Sequence, residues 1–214
     1  MRTQPPAAVR KPQQPRSQRT MQSILEATAA LLDEKGFSEI SINEIVERAG
    51  CSVGAFYGRF QDKDALLQAL DEEYFRELYD SLEDVMLGGD LAGRELPDLV
   101  RHVVQALYEV LDRRRGLLRT LILAGRTQAD PRFREREERT MAAFPRLAAA
   151  LLAHRERIHH PDPERAVQFG FFHTWYALQD IVLWEHLAAR SPYQGTELVD
   201  EFARAYLAYL EYEG

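Results

Sequence analysis

Apolar positions recur at helical spacing from Met21 onward. Met21, Ile24, Leu25, Leu31 and Leu32 fall at i, i+3, i+4, i+10 and i+11, which predicts an amphipathic helix with one apolar stripe. Thr28 takes the i+7 place, where its methyl packs and its hydroxyl returns to a carbonyl one turn earlier. Gly36 is expected to stop this helix by taking the left-handed conformation, and Phe37 to enter the core. Ser41 is placed to cap a second helix, in which Ile42, Ile45, Val46 and Ala49 repeat the helical spacing until Gly50. Ser52 caps a third, from Val53 to about Phe60, with Phe56 and Phe60 on one face.

Further helical segments follow. Leu66, Leu70, Tyr74 and Leu78 step by four through a fourth helix over about 63–86, which Gly88, Gly89 and Asp90 break. A fifth is predicted over about 97–114 with proline at its start, and a sixth over 116–124. The seventh covers 131–154, kinked at Pro145 because that residue has no amide to donate. The eighth covers about 163–189 and the ninth 196–213. No period-2 pattern of a strand occurs. The fold class is all-α, with about nine helices.

The eighth helix has almost no polar face. Phe169, Phe171, Phe172, Trp175, Tyr176, Leu178, Ile181, Val182, Leu183 and Trp184 predict burial on every side. One side then packs on its own domain and another on a second subunit. The ninth adds Leu198, Phe202, Ala205, Tyr206 and Tyr209 along one stripe.

Composition narrows the chemistry. Among 214 residues, 45% are hydrophobic and 29% charged, enough for a sizeable core. One cysteine excludes a disulfide framework and any multi-cysteine zinc site. His159 and His160 read as a solvated loop, since no third ligand stands at a recognisable spacing, and neither a metal nor a cofactor is expected. The longest stretch without Asp, Glu, Lys or Arg, 166–179, is shorter than the roughly 18 apolar residues of a membrane span.

The net charge of −7 argues at first against a nucleic-acid binder, but it is an average. Residues 1–63 hold 9 basic and 7 acidic side chains, a net +2; the remaining 18 basic and 27 acidic give −9. Residues 1–19 carry five basic residues and no acidic one, and Pro5, Pro6, Pro12 and Pro15 predict an extended or disordered segment, which reads as a solubilising tail or as a DNA-contacting arm. This stretch lacks the apolar core of a secretory signal and the amphipathic helix of a transit peptide, so a cytoplasmic location is expected. A basic arm of this kind tracks phosphates or enters a minor groove; Arg16 and Arg19, nearest the first helix, are its candidates for DNA contact.

Two short helices joined by Ala49-Gly50-Cys51-Ser52 match a helix-turn-helix, whose second helix enters the major groove. Alanine-glycine at the turn is followed by Ser52-Val53-Gly54, Phe56-Tyr57 and Phe60, then Lys63, Ala65 and Leu66. This ordered pattern, from Ser41 to Leu66 behind a matching first helix, resembles the DNA-binding domain of the TetR family of bacterial transcriptional regulators. The resemblance covers roughly 18–78, and the rest only by helix count and length. It implies three parts: a basic arm (1–17), a DNA-binding domain (18–78, with the motif at 41–60) and an effector-binding and dimerisation domain (79–214).

Within the motif, Gly54 lets the recognition helix approach DNA without a side chain in the way. Tyr57 offers a hydroxyl to a phosphate, as do Ser41 and Ser52 beside their capping. Lys63 supplies a phosphate contact that positions without reading sequence. Arg59 stands where many family members carry histidine and is aimed at a phosphate or a guanine edge. Val53 and Ala55 depart from the family, which often has lysine and threonine there; their methyl groups are suited to thymine methyls instead. Cys51 reads as a core filler.

The resemblance further implies a small-molecule pocket in the larger part, with Tyr74, Tyr79, His102, Tyr108, Phe144, Trp175 and Gln179 as candidate lining. It implies a homodimer whose last two long helices form a four-helix bundle, with Phe172, Tyr176, Leu183, Phe202, Tyr206 and Tyr209 at the interface. The expected function is a ligand-responsive repressor that leaves a pseudo-palindromic operator when its effector binds. An enzyme is not expected: nucleophile elbow, glycine-rich phosphate loop and His-Glu-x-x-His are all missing. The competing reading is a helical ligand-binding or adaptor protein with weakened DNA binding, which Val53 and Ala55 keep open.

Overall fold

The structure, a computed structural model, describes residues 15–87, 93–128, 135, 138, 141–142, 144–184 and 189–212, with side chains at all of these except 15–16, 79–87 and 126–128. Among the described residues there are nine α-helices and no strand. They are α1 (Pro15–Glu34), α2 (Ile42–Arg48), α3 (Val53–Tyr57), α4 (Lys63–Leu87), α5 (Leu96–Asp112), α6 (Arg115–Gln128), α7 (Phe144–Leu152), α8 (Pro163–Leu183) and α9 (Gly195–Leu210). The chain divides into two compact units, one of Met1–Glu77 with Gly116–Ala124, the other of Leu78–Arg115 with Gly125–Gly214.

In the first unit α1 packs on α2 and α3. Ile24, Leu32, Ile45, Phe56, Phe60 and Leu66 are all buried there, each contributing about 1.5–3 kcal/mol relative to exposure. Thr28 is fully buried and its hydroxyl donates to the Ile24 carbonyl at 2.7 Å, as its place in the stripe predicts. Gly116 belongs to this unit. Its amide donates to the Asp33 carboxylate at 2.9 Å, and a Cβ there would lie 2.2 Å from the Leu32 carbonyl oxygen. Only glycine lets the start of α6 come this close to the last turn of α1, and Asp33 serves as an anionic partner at that helix start.

In the second unit α5, α8 and α9 pack on one another, with α7 against α8 and α5. Gly170 on α8 lies under the ring of Tyr206 on α9; a Cβ at 170 would stand 1.9 Å from that ring. The buried Tyr206 hydroxyl donates to the Val167 carbonyl at 2.6 Å, and burial pushes its pKa upward. No helix among the described residues is long and apolar enough to cross a membrane.

Three expectations are corrected. Gly36 is not left-handed: with φ −66° and ψ 149° it is extended and leads directly into a 3-10 turn, Phe37–Glu39. The expected seventh helix, 131–154, is described as an element over Phe144–Leu152, with single helical residues at 135, 138 and 141 ahead of a turn at 142; Pro145 thus falls at the start of that element, where a missing amide costs little. Helix α8 ends at Leu183, with Trp184 extended, short of the expected 189; within the single chain Phe169 and Tyr176 on it are 54% and 45% exposed.

Candidate nucleic-acid interface

The helix-turn-helix is built by local chemistry. Ser41 accepts from the Glu44 amide at 3.2 Å, while the Glu44 carboxylate accepts from the Ser41 amide at 2.8 Å, a complete capping box at the start of α2. Lys35 also donates to Glu44, and these donors together pull its carboxyl down to about 2. The other end of α2 closes through Gly50 at φ 62°. Its amide donates to the Glu47 carbonyl at 3.1 Å and the Cys51 amide to the Val46 carbonyl at 2.9 Å, the paired bonds of a Schellman turn. Ser52 then caps α3 by accepting from the Ala55 amide at 3.1 Å.

The turn sets what α3 presents. Phe56 and Phe60 point inward, their rings 5.5 Å apart, and Tyr57 packs edge-on against Phe56. Ser52, Val53, Gly54 and Tyr57 face outward, Val53 40% and Tyr57 53% exposed, and Ala55 is half-buried. A Cβ on Gly54 would meet nothing nearer than 3.9 Å. Inside a helix glycine costs about 1 kcal/mol relative to alanine, and packing within the domain gives no reason for it.

The charged candidates are placed differently from one another. Arg19 is exposed on α1; the side chain of Arg16 lies outside the described residues. Lys63 is half-buried: its ammonium donates to the Phe37 carbonyl at 2.7 Å and to that of Ile40 at 2.5 Å, and lies 4.6 Å over the Phe37 ring. Burial lowers its pKa, and one of its three N–H bonds is left for another acceptor. Arg59 is half-buried and directs its guanidinium to Ala55 and to Ser17 of α1. Sequence reasoning missed the partners at Phe37, Ile40 and Ser17, which stand 23 to 42 positions from the basic residue and carry no periodic signal. Cys51 is half-buried, and burial pushes its thiol pKa up while Arg59 acts the other way.

A cavity of about 100 Å³ in the second unit is lined by Tyr108, Asp112, Arg115, Val182, Tyr193 and Leu198 among others; of the six candidate ligand residues with described side chains, Tyr108 is the one that lines it. Tyr74 and Trp175 are buried, His102 and Gln179 half-buried, and Phe144 stacks on Phe171 and Phe172 at 4.6 and 5.3 Å. Burial raises the Tyr108 pKa and lowers that of His102. The side chain of Tyr79 lies outside the described residues.

Of the interface candidates, Leu183 and Tyr206 are buried within the chain itself. Tyr176 is exposed, and Phe172, Phe202 and Tyr209 are half-buried. Phe169 joins them: it packs on Tyr209 at 5.0 Å and stacks on His173 at 5.9 Å, while Phe172 stacks on Tyr176.

Comparison with known proteins matches this geometry. Residues 24–70 match the model of the bacterial regulatory proteins of the tetR family. The A-factor receptor protein of Streptomyces griseus is 38% identical over 60 residues, 28% of this chain and 22% of that protein. An uncharacterized HTH-type transcriptional regulator, YvdT of Bacillus subtilis, is 33% identical over 69 residues, 32% of this chain. The chain thus spans little more than a third of the YvdT length, 36%, and less of the A-factor receptor. Among solved structures, a putative TetR-family transcriptional regulator from Mesorhizobium loti superposes with a TM-score of 0.61 at 21% identity, covering 92% of this chain and 97% of that one. FadR of Bacillus subtilis, solved with stearoyl-CoA, superposes at 0.56 and 16% identity over 90% and 98% of the two chains.

Proposed function

From the premise that the chain carries a TetR-type DNA-binding domain, we propose that it is a homodimeric transcriptional repressor, cytoplasmic in location and released from DNA by a small-molecule effector. The observation that carries the reading is the outward face of α3. Two serine caps and a Schellman turn present Val53, Gly54 and Tyr57 to solvent, with a glycine that the interior does not require. Such a face suits close approach to base edges and phosphates, with apolar contact to thymine methyls. In a dimer the two recognition helices would read half-sites roughly 34–36 Å apart.

The arrangement supports an effector site in the second unit. A cavity of about 100 Å³ is below the roughly 150 Å³ that accommodates a benzene ring, so it suits a compact molecule. It offers the Tyr108 hydroxyl, the Asp112 carboxylate and the Arg115 guanidinium. Arg115 is followed in the chain by Gly116, whose amide Asp33 holds in the first unit, so displacement at one is passed along a single peptide bond. By linkage, DNA must weaken effector binding by the factor with which effector weakens DNA binding.

A salt titration on duplex DNA from the region upstream of the protein's own coding sequence tests the reading. The expected result is saturable binding of two chains per duplex, with log affinity falling steeply against log salt. Binding that is weak and indifferent to salt would leave only the ligand-binding or adaptor reading. Mass spectrometry of the purified protein is expected to reveal a bound small molecule, and adding that molecule to release DNA.

A further inference from the structure

The cavity of the second unit has an apolar floor and a charged rim. Leu198 is buried and Ile181 and Val182 are half-buried, while Asp112 and Arg115 are exposed at its edge. Tyr108, half-buried, senses both charges: burial and the Asp112 carboxylate raise the pKa of its hydroxyl, and the Arg115 guanidinium acts the other way. A hydroxyl kept protonated in this way can donate to an anion. Among the described residues neither Asp112 nor Arg115 forms an ion pair, with the other or elsewhere, so both charges are open to a third group.

Two opposite charges held apart at the edge of an apolar floor complement a molecule that carries both charges on one small aliphatic body. A neutral molecule would use neither, and a simple anion or cation would leave one unmatched. We propose that the cavity is a receptor for a compact aliphatic α-amino acid, its carboxylate on Arg115 and the Tyr108 hydroxyl, its ammonium on Asp112 and its side chain on Ile181, Val182 and Leu198. This rests on the reading of the cavity as the effector site and names what that site takes. At about 100 Å³ the space is smaller than the roughly 150 Å³ that holds benzene, so it suits an aliphatic side chain better than an aromatic one, with the charged head at the rim.

The test is isothermal titration of the full-length chain with three probes that share one aliphatic body. They are L-valine, isovalerate, which lacks the ammonium, and isobutylamine, which lacks the carboxylate. Because the rim is open to solvent, each matched charge is expected to contribute about five- to tenfold in affinity, and L-valine to bind tighter than either analogue by that factor. Asp112→Asn is expected to bring L-valine down to the affinity of isovalerate without weakening isovalerate. Arg115→Gln is expected to bring L-valine down to the affinity of isobutylamine without weakening isobutylamine. Both residues are exposed, so the variants should fold, and the three probes on the wild-type chain read the same charges with no substitution at all.

Either analogue binding as tightly as L-valine overturns the proposal, as does the absence of binding by all three probes at millimolar concentration. Variants that weaken all three probes alike, or none, overturn it as well. Release of DNA separates this inference from the reading beneath it. If a molecule carried by the purified protein releases DNA, and Arg115→Gln blocks that release while the valine series fails, the cavity stays the effector site and the amino-acid class falls. If the release is untouched by Asp112→Asn and Arg115→Gln, the effector site lies elsewhere and both fall. L-valine bound in the expected pattern without effect on DNA affinity upholds the ligand class and removes the effector role.

Discussion

Two of the Lys63 N–H bonds hold the carbonyls of Phe37 and Ile40 and so fix the connection between α1 and α2; the third is left for another acceptor, which on the proposed function would be a phosphate. Lys63→Met therefore has two separate readouts. Loss of charged hydrogen bonds to partly buried carbonyls should destabilise the domain by about 2 kcal/mol, seen as an earlier thermal transition. The salt slope on duplex DNA should flatten by about 0.9 per bound chain if the third N–H is spent on a phosphate, and an unchanged slope would leave Lys63 as a structural clamp alone. Tyr57→Phe should behave oppositely, lowering DNA affinity while the melting temperature stays put, since its ring packing on Phe56 is retained. The serine caps could be read from the sequence because cap and amide lie three residues apart. The bonds of Lys63 to Phe37 and Ile40 and of Arg59 to Ser17 could not, because those partners are distant in the chain and three of the four acceptors are backbone carbonyls, which any residue type contributes.

At the scale of the element, the ends of α2 carry the motif. Ser41, Glu44 and Lys35 form one charged cap, with Glu44 held as the anion by two kinds of donor. Its carboxyl has an ordinary pKa of 4.5 and is drawn down to about 2 in the folded chain. The folded state thus binds this proton less readily than the unfolded one, and the stabilisation is fully present above about 4.5 and lost as pH falls through about 2. Wild-type protein should exceed Glu44→Gln in denaturant midpoint at neutral pH, and the two curves should converge toward pH 2. Parallel curves across that range would mean that the cap does not act through its charge. At the other end, Gly50→Ala places a Cβ at positive φ and should cost about 1 kcal/mol. Here sequence reading succeeded at Gly50 and failed at Gly36, although both are glycines after a helix. The Schellman bonds need two amides past the helix end, and Gly50 and Cys51 supply them; after α1 the chain goes at once into a 3-10 turn, which an extended residue starts.

For the whole molecule, the informative contrast lies within α8 and α9. Their apolar pattern announced burial on every side, yet the chain by itself buries only part of it. Tyr206 sits on Gly170 with its hydroxyl spent on Val167, so its ring and hydroxyl are satisfied without a second copy. Phe169 and Tyr176 remain exposed beside the half-buried Phe172 and Tyr209, an aromatic stripe that α8 and α9 share. Periodicity marks both sets as apolar and cannot say which faces inward; the missing side chain at Gly170 decides it, by letting α9 approach one side of α8. Substitutions on the two sets should therefore part company. Gly170→Ala would push a methyl into the Tyr206 ring and should cost about 1–3 kcal/mol of stability, with the oligomeric state of the folded fraction unchanged. Phe169→Glu with Tyr176→Glu should leave the thermal transition of the chain near that of the Tyr176→Phe control and, if the wild-type chain is the proposed dimer, give a monomer in sedimentation. Because a dimer engages two half-sites on one duplex, the monomer should also lose most of its operator affinity while keeping an intact α3 surface. A dimer that survives both glutamates would move the interface away from this stripe, and a monomer that still binds its operator at full strength would remove dimerisation from the mechanism.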